Sequence, residues 1–250
     1  TEYNFIEIWW KINMKKNSIL RMIFYVSGLL ILALGIILNT KSGLGVSPII
    51  SVAYSISAIW NLNFGNTTFG LYAVFVIIEM ILHTVRNRRQ RAEEGNALKP
   101  AVKKSLPLIL GVDLLQLPLS LIFTRFMNIF SALIPAPSEK LWAKLLFLAG
   151  GIICTGIGAA ASLNMRIIPN PGDGIVQAIA DFIHKPVGFT KNCFDLFNIC
   201  LTISVGMLFA HRLIGVGIGT VAAVLGVGRV IALFNHLFMK KMTEAAGVEY

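Results

Sequence analysis

Charged residues are scarce in this chain of 250 residues. Lysine, arginine, aspartate and glutamate make up 14% of it, whereas hydrophobic residues make up 56% and the mean hydropathy is +0.73. A soluble domain carries roughly 25% charged residues, because its surface has to be wetted by water. The scarcity therefore excludes a disordered chain and an ordinary soluble enzyme, and it indicates an integral membrane protein.

Cysteine and the motifs of familiar catalytic sites are also missing or rare. The three cysteines include no CxxC pair, which excludes a disulfide scaffold and gives no sign of a metal or redox centre. No HExxH, Walker or GxGxxG motif occurs, and the four histidines lie near the ends of apolar segments. We therefore expect no enzyme activity, no catalytic residue, no bound metal and no cofactor.

Acidic residues are the scarcest charged type, at 12 against 22 basic residues, for a net charge of +10. Such an excess can indicate nucleic-acid binding, attraction to anionic lipid, or cytoplasmic loops of a membrane protein. We do not expect a nucleic-acid partner, because no polar domain is available to present a basic face.

The chain consists mainly of long apolar stretches. A membrane crossing needs about 20 mostly apolar residues. Met22–Asn39 is too long for a signal peptide and lacks a cleavage site, and Met14 resembles a natural start, so we expect residues 1–13 to lie upstream of it. Gly172–Ile183 is too short and too polar to face lipid. The candidate crossings are Met22–Asn39, Leu44–Trp60, Phe69–His83, Leu106–Phe123, Leu141–Leu163, Phe194–Ala210 and Leu213–Phe238.

An internal repeat relates the two halves of the chain at an offset of 123 residues. Each copy has a long glycine-bearing span, a Gly/Pro break, a short helix, a glycine turn and further spans. Chance matches between glycines are the alternative, but a shared proline at the break favours duplication. The matched pairs are Gly28 with Gly151, Gly35 with Gly158, Pro48 with Pro171, and Gly65 with Gly188.

The distribution of positive charge predicts how often the chain crosses the membrane. If the short helices after Pro48 and Pro171 do not cross, 16 positive residues lie inside and 5 outside, whereas the split is 11 to 10 if both cross. We expect six crossings with two re-entrant or broken helices, in a bacterial plasma membrane with cytoplasmic termini; eight crossings are the alternative. The predicted segments are a cytoplasmic or interfacial segment (1–20), a first membrane repeat (21–124), an extracytoplasmic linker (125–140), a second membrane repeat (141–239) and a cytoplasmic tail (240–250).

Three crossings per repeat place the two copies in opposite orientations. The predicted fold class is therefore an all-α polytopic membrane bundle of two inverted repeats, each with a short re-entrant or broken helix. Inverted repeats with interrupted helices are a recurrent transporter design. Because irregular backbone at membrane depth is tolerated only within protein or beside water, the breaks Lys41–Pro48 and Asn164–Gly174 predict a polar interior.

The sequence at these breaks resembles the YczE/YyaS/YitT family of bacterial membrane proteins, over roughly residues 20–238. In the YitT branch a Gly-Gly-Thr-Asp type segment stands where this chain has Pro171-Gly172-Asp173, so the aspartate is the residue that is shared. The resemblance implies a polytopic plasma-membrane protein, with transport as the expectation and no substrate named. The residues that carry it are Lys41–Pro48 (KSGLGVSP), Phe64-Gly65, Asn170–Ile175 (NPGDGI) and Val216–Thr220 (VGIGT).

Ionisable residues within the spans are the first functional candidates, because burying a charge in hydrocarbon is costly. Asp113 and Arg229 lie at similar depth on the last spans of the two repeats. We predict that they pair in the bundle core, either as a structural ion pair or as a gate. Glu79 and Asp195 lie near inner span ends, where they face an inner vestibule or reach the lipid headgroups.

A second set of candidates surrounds the two breaks and forms the predicted substrate site. Three of them share one face of the second short helix at intervals of four residues. Asp173, the first of the three, is either the N-cap of that helix or a group that binds a proton, a cation or an amine. The first copy has no charge at the aligned position. The predicted substrate-binding residues are Asp173, Gln177, Asp181, Asn170, Ser47, Ser51, Tyr54 and Asn198.

These features predict a secondary transporter of a small polar, zwitterionic or anionic solute, with proton or cation coupling as an option. The N-termini of the short helices would favour an anionic group on the substrate, whereas Asp173 opposes this unless it is protonated or paired. The alternative is a non-transporting scaffold or accessory subunit, which predicts a dry and sealed core. The expected partners are a small-molecule substrate and the lipid bilayer.

Overall fold

The structure, a computed structural model, describes residues 2–94 and 106–248, with side chains for 17–90 and 106–248. Helix makes up 84% of it and these ranges contain no strand, so the predicted all-α helix bundle is confirmed. In chain order the elements are α1 (Glu2–Lys41), α2 (Pro48–Trp60), α3 (Phe64–Glu94), α4 (Leu106–Leu133), α5 (Leu141–Asn164), α6 (Pro171–Ile183), α7 (Val187–Ala210), α8 (Ile218–Phe234), a π-helical turn (Asn235–Met239) and α9 (Lys240–Ala245).

Within the described residues, six helical segments are long and apolar enough to cross a membrane. The shortest have 24 residues and extend about 36 Å at 1.5 Å per residue, which exceeds a hydrocarbon core of about 30 Å. Helices α2 and α6 have 13 residues each and extend only about 20 Å. Helix length therefore agrees with the prediction of six crossings and two short helices rather than with the alternative of eight. The segments are Asn17–Lys41, Phe64–Gln90, Leu106–Leu133, Leu141–Asn164, Val187–Ala210 and Ile218–Ala245.

The helices follow one order twice: long, short, long, long. Helices α1 to α4 form the first copy and α5 to α8 the second. The contacts repeat as well, because α2 packs on α7 as α6 packs on α3, and α4 packs on α1 as α8 packs on α5. Such reciprocal packing is the pattern that a two-fold relation between the copies produces.

Glycine contacts between α1 and α5 show that the two copies are inverted. A Cβ added to Gly28 would lie 2.7 Å from the Ser162 backbone nitrogen, and one added to Gly151 would lie 2.6 Å from the Asn39 backbone nitrogen. Residue numbers rise along α1 as those of the contacting residues fall along α5, so the two helices run antiparallel. Nearer the middle of this seam, Gly35 contacts Thr155 and Gly158 contacts Leu32 in the same reciprocal way.

The first Gly/Pro break is joined by hydrogen bonds to the loop between α7 and α8 and to the first turn of α8. Val46 N donates to Gly215 O at 3.0 Å, and Gly219 N donates to Leu44 O at 2.7 Å. Gly45 and Gly215 have φ of +119° and +81°, a region that L side chains rarely adopt. Glycine at these two positions therefore lets the two loops meet.

The bounds of several helices differ from the predicted crossings, and α4, for example, continues past Phe123 to Leu133. Helix α3 begins before Phe69 and continues past His83, because its polar second half still forms backbone hydrogen bonds outside the apolar segment. Helix α7 begins at Val187, directly after Pro186, rather than at Phe194. Helix α8 begins at Ile218 instead of Leu213, because the loop that holds Gly215 precedes it.

Candidate functional site

A cavity of about 500 Å³ lies among α3, α4, α6, α7 and α8 and the end of α5, toward the end of the bundle where α3 ends and α4 begins. Small-molecule sites typically have volumes of about 300–1,000 Å³. Most of the wall is apolar. Its polar side chains are Glu79, His83, Asp113, Asp173, Gln177 and Lys191, and its apolar wall includes Leu108, Ile109, Val112, Leu163, Val176, Val187 and Ile231.

One wall carries a carboxylate–histidine cluster, formed by Glu79 and His83 of α3 with Asp113 and Gln116 of α4. Residues four apart, or three apart, lie on one face of a helix, so each helix presents two polar groups to the other. His83 Nδ1 lies 2.8 Å from Asp113 Oδ2, and Gln116 Nε2 donates to the two Glu79 oxygens at 3.0 and 3.1 Å. Glu79 and Asp113 are each only 3% exposed.

Helix α6 approaches this cluster through a glycine. A Cβ added to Gly174 would lie 2.7 Å from Glu79 Oε2 and 3.0 Å from Gln116 Oε1. A larger residue at this position would displace the carboxylate. The absence of a side chain at Gly174 therefore brings the backbone of the short helix directly against the cluster.

The wall also carries Asp173 from the first turn of α6 and Lys191 from α7. Lys191 Nζ lies 3.6 Å from Oδ2 of the buried Asp195, one helical turn further along α7. Asp173 and Lys191 also line a second cavity of about 70 Å³, together with Ser47, Asn170 and Tyr72. The larger cavity thus presents three carboxylates, of Glu79, Asp113 and Asp173, against one ammonium group.

The N-cap of α6 is Asn170 rather than Asp173. The Asn170 side chain accepts a hydrogen bond from Gly172 N at 3.0 Å. The capping alternative for Asp173 is therefore wrong, and its carboxylate faces the two cavities. Asn170 and Ser47, both predicted substrate ligands, border the smaller cavity only.

The predicted polar face of α6 divides between two surroundings. Gln177 lines the larger cavity and donates to Asp181 Oδ1 at 2.9 Å. Asp181 itself accepts from Arg86 Nη1 of α3 at 2.7 Å. The structure therefore places Asp181 in a salt bridge beside the cavity rather than among the residues that line it.

The predicted pair between Asp113 and Arg229 is not formed. Asp113 is buried against His83, while Arg229 lies on the exposed face of α8. Helix α4 packs on α3 and α1, whereas α8 packs on α5. Equal depth in the two repeats therefore did not bring these two side chains to the same side of the bundle.

Three predicted substrate ligands lie away from the larger cavity. Ser51 Oγ is buried and lies 2.6 Å from Thr202 Oγ1. The Tyr54 ring packs edge-on against Phe64 at 5.6 Å between centroids. Asn198 is buried and donates to the Phe194 carbonyl at 2.8 Å.

The contact between Ser51 and Thr202 is the repeat counterpart of the contact between Gly174 and Glu79. Gly174 follows Ser51 by 123 residues, and Thr202 follows Glu79 by the same number. We call the surroundings of Ser51, which do not line the larger cavity, the closed half-site, and the equivalent surroundings of Gly174, which do, the open half-site. Two hydroxyls meet at the closed half-site, whereas a glycine and a carboxylate meet at the open half-site. The predicted chemical difference between the half-sites extends to α3 and α7.

Sequence reasoning missed His83, Gln116 and Lys191 as members of the site. The spacing signals were present, since Glu79 and His83 are four residues apart, and so are Lys191 and Asp195. His83 was assigned to a span end because the apolar stretch stops there, although the helix continues.

The sequence of this chain matches a known protein family. A family model described as a family of unknown function (DUF6198) matches residues 19–94 and 102–236. An uncharacterized protein of Haemophilus influenzae is 25% identical over 134 residues, which cover 54% of this chain and 58% of that protein. The matched part thus spans less than two thirds of that relative. No solved structure matches the chain.

Proposed function

Because the chain belongs to the DUF6198 family, whose description assigns no function, we propose from its own site that it is a secondary transporter. The proposed substrate is a small solute with a positive charge, either a cation or a zwitterion. Transport rather than catalysis is proposed, because the polar groups line a cavity within a bundle of inverted repeats.

The observation that carries the proposal is the cavity of about 500 Å³, which is lined by the short helix α6 and by crossing helices of both repeats. Transporters of inverted-repeat design bind their substrates at the interface between repeats, beside interrupted helices. A scaffold would need no such space, and a dry, sealed core was the expectation for that alternative.

The charge of the lining favours a cation or a zwitterion over an anion. Three carboxylates, of Glu79, Asp113 and Asp173, face one ammonium, of Lys191. Charges attract more strongly in a partly desolvated site than in water. The Asn170 side chain also occupies Gly172 N at the start of α6, which removes a donor that an anion would use.

Access from one side at a time supports transport rather than a channel. The cavity lies toward one end of the bundle, while hydrogen bonds from Val46 to Gly215 and from Gly219 to Leu44 join the loops at the other end. In the proposed cycle, the two repeats exchange conformations, so the closed half-site around Ser51 opens as the open half-site closes.

We propose that the cavity faces the cytoplasm in this conformation, since the distribution of positive charge favours a cytoplasmic position for the end of α3 and the start of α4. We also keep as a proposal the relation to the YczE/YyaS/YitT proteins. It rests on the Lys41–Pro48 and Asn170–Ile175 motifs.

The proposal is tested by charge displacement in proteoliposomes on a solid-supported membrane. The test solutes are primary amines, quaternary ammonium ions and amino acids, with carboxylate anions for comparison. Asp173→Asn should lower the response to an active solute at least about tenfold, because a charge-assisted hydrogen bond contributes about 1.5–3 kcal/mol.

Asp181→Asn is the matched control, since it makes the same chemical change on the same helix but at a residue outside the cavity. It should retain the response. Currents driven by anions alone would overturn the charge assignment, and an equal response in both variants would overturn the assigned site. In a Gln177→Cys variant, bound solute should change the rate at which the cysteine is labelled. If no solute changes that rate, the scaffold alternative is favoured.

A further inference from the structure

We propose that the carboxylate–histidine cluster binds a divalent transition-metal ion such as Zn²⁺. Glu79, His83, Asp113 and Gln116 would supply its ligands. The proposal goes beyond transport, because binding is measured without any solute flux, and its failure would leave the transport proposal standing. With the ion bound, Asp173 remains the carboxylate of the cavity that would bind the positive group of a solute.

The positions of the donor atoms support a single ion. One ligand atom from each of Glu79, His83 and Asp113 lies within 4.8 Å of the others. Ligands of one zinc ion lie about 2.0–2.2 Å from the metal, and hence roughly 3–3.5 Å from one another. The donor atoms would therefore have to approach one another by no more than about 2 Å to close the set, a distance on the scale of side-chain movement.

A second observation points independently to a missing partner. Gln116 is fully buried, and its Oε1 has no hydrogen-bond donor among the described residues. Leaving a buried acceptor unsatisfied costs about 1–3 kcal/mol. Gln116 Oε1 and Glu79 Oε2 both lie within 3.0 Å of the point where a Gly174 Cβ would stand, so the amide oxygen is adjacent to the carboxylate.

Charge balance favours a divalent ion. Two buried carboxylates lie close together here, and their one salt-bridge partner within residues 17–90 and 106–248 is His83, which contacts Asp113 and could neutralise only one of the two. Buried charges are normally paired or bound to metal. One divalent ion would neutralise Glu79 and Asp113 and leave His83 to bind as neutral imidazole.

The donor set and its surroundings select the class of ion. Magnesium and calcium prefer oxygen ligands alone, whereas imidazole suits zinc and neighbouring transition metals. Glu79, His83 and Asp113 all line the larger cavity. An ion can therefore reach them from solution, and water can complete its coordination.

The test uses the full chain in detergent, with any affinity tag removed. Zn²⁺ is titrated by calorimetry, and Co²⁺ is followed by its visible absorption. We expect one ion per chain. His83→Gln and Asp113→Asn should each weaken binding at least about 100-fold, because loss of a mere outer-shell partner lowers affinity about 10- to 100-fold. Glu139→Gln and His236→Gln, which alter exposed residues outside the cluster, should leave the affinity unchanged.

Thermal unfolding of each variant establishes that it is folded. If a cluster variant unfolds, the Co²⁺ spectrum of the unaltered chain still decides the matter. Nitrogen and oxygen donors should give d–d bands without thiolate charge transfer. A thiolate band, which would come from Cys154, Cys193 or Cys200, would overturn the proposal. So would the absence of saturable binding, equal affinity in the cluster variants, or equally tight binding of Mg²⁺.

Discussion

The glycine seam between α1 and α5 leads to a prediction in which two adjacent glycines respond oppositely to the same change. A Cβ at Gly151 would lie 2.6 Å from the backbone nitrogen of Asn39 and 2.9 Å from its Cα. A Cβ at Gly150 would meet only the Leu38 Cδ1 atom, at 3.7 Å, which is ordinary van der Waals contact. We therefore expect Gly151→Ala to destabilise the protein and Gly150→Ala to be tolerated.

The size of the effect follows from these distances. To reach about 3.4 Å, α1 and α5 would have to separate by roughly 0.8 Å at Asn39, and overpacking of this kind typically costs about 1–3 kcal/mol. Both substitutions remove a helical glycine and gain up to about 1 kcal/mol in helix propensity. That gain cancels between the two variants, so Gly151→Ala should be less stable than Gly150→Ala by about 1–3 kcal/mol.

Unfolding of the purified variants in mixed micelles with increasing SDS measures this difference. Gly28→Ala, the repeat counterpart of Gly151→Ala, should be destabilised to a similar extent, because its Cβ would lie 2.7 Å from the Ser162 nitrogen. Equal stability of the Gly150 and Gly151 variants would refute the close backbone approach. A destabilised Gly151 variant beside an unaffected Gly28 variant would refute the reciprocity of the seam.

Two further predictions concern the site and its orientation. Gly174→Ala should leave the fold intact, because the new Cβ meets the movable end of Glu79 rather than backbone. Zn²⁺ affinity measured by calorimetry should nevertheless fall by at least severalfold. Unchanged affinity would show that Gly174 does not affect the cluster. In whole bacteria, with the three native cysteines replaced by serine, Ser138→Cys should react with an impermeant maleimide. Lys185→Cys should react only after permeabilisation, and the reverse pattern would place the cavity at the outer face.

Much of the fold could be predicted because membrane constraints act on local sequence. Apolar length predicts a crossing wherever it occurs, and Pro48 and Pro171 begin the short helices because proline is favoured in the first helical turn. The repeat offset of 123 residues also identifies glycines that occupy equivalent positions along the seam, because a two-fold relation imposes reciprocal contacts.

The composition of the site could be predicted only in part, because depth in the membrane does not determine which way a side chain points around its helix. Asp113 and Arg229 were matched by depth alone, yet α4 packs on α3 and so presents Asp113 to His83. Asp173 and Gln177 were found because their spacing lies within one helix. Ser51 and Tyr54 are polar groups at the correct break, but Ser51 is buried against Thr202 and Tyr54 packs against Phe64.

The inequality of the two half-sites has an energetic consequence for an alternating transporter. The conformation described keeps the carboxylates of Glu79 and Asp113 on a cavity wall, while the hydroxyls of Ser51 and Thr202 are sealed. Exchanging the two conformations would hydrate the hydroxyls and withdraw the carboxylates from water, which is unfavourable for charged groups. An empty carrier would therefore seldom return across the membrane unloaded. A ligand or ion that neutralises those carboxylates would remove this cost, so exchange of the two conformations without a bound ligand or ion would be slow.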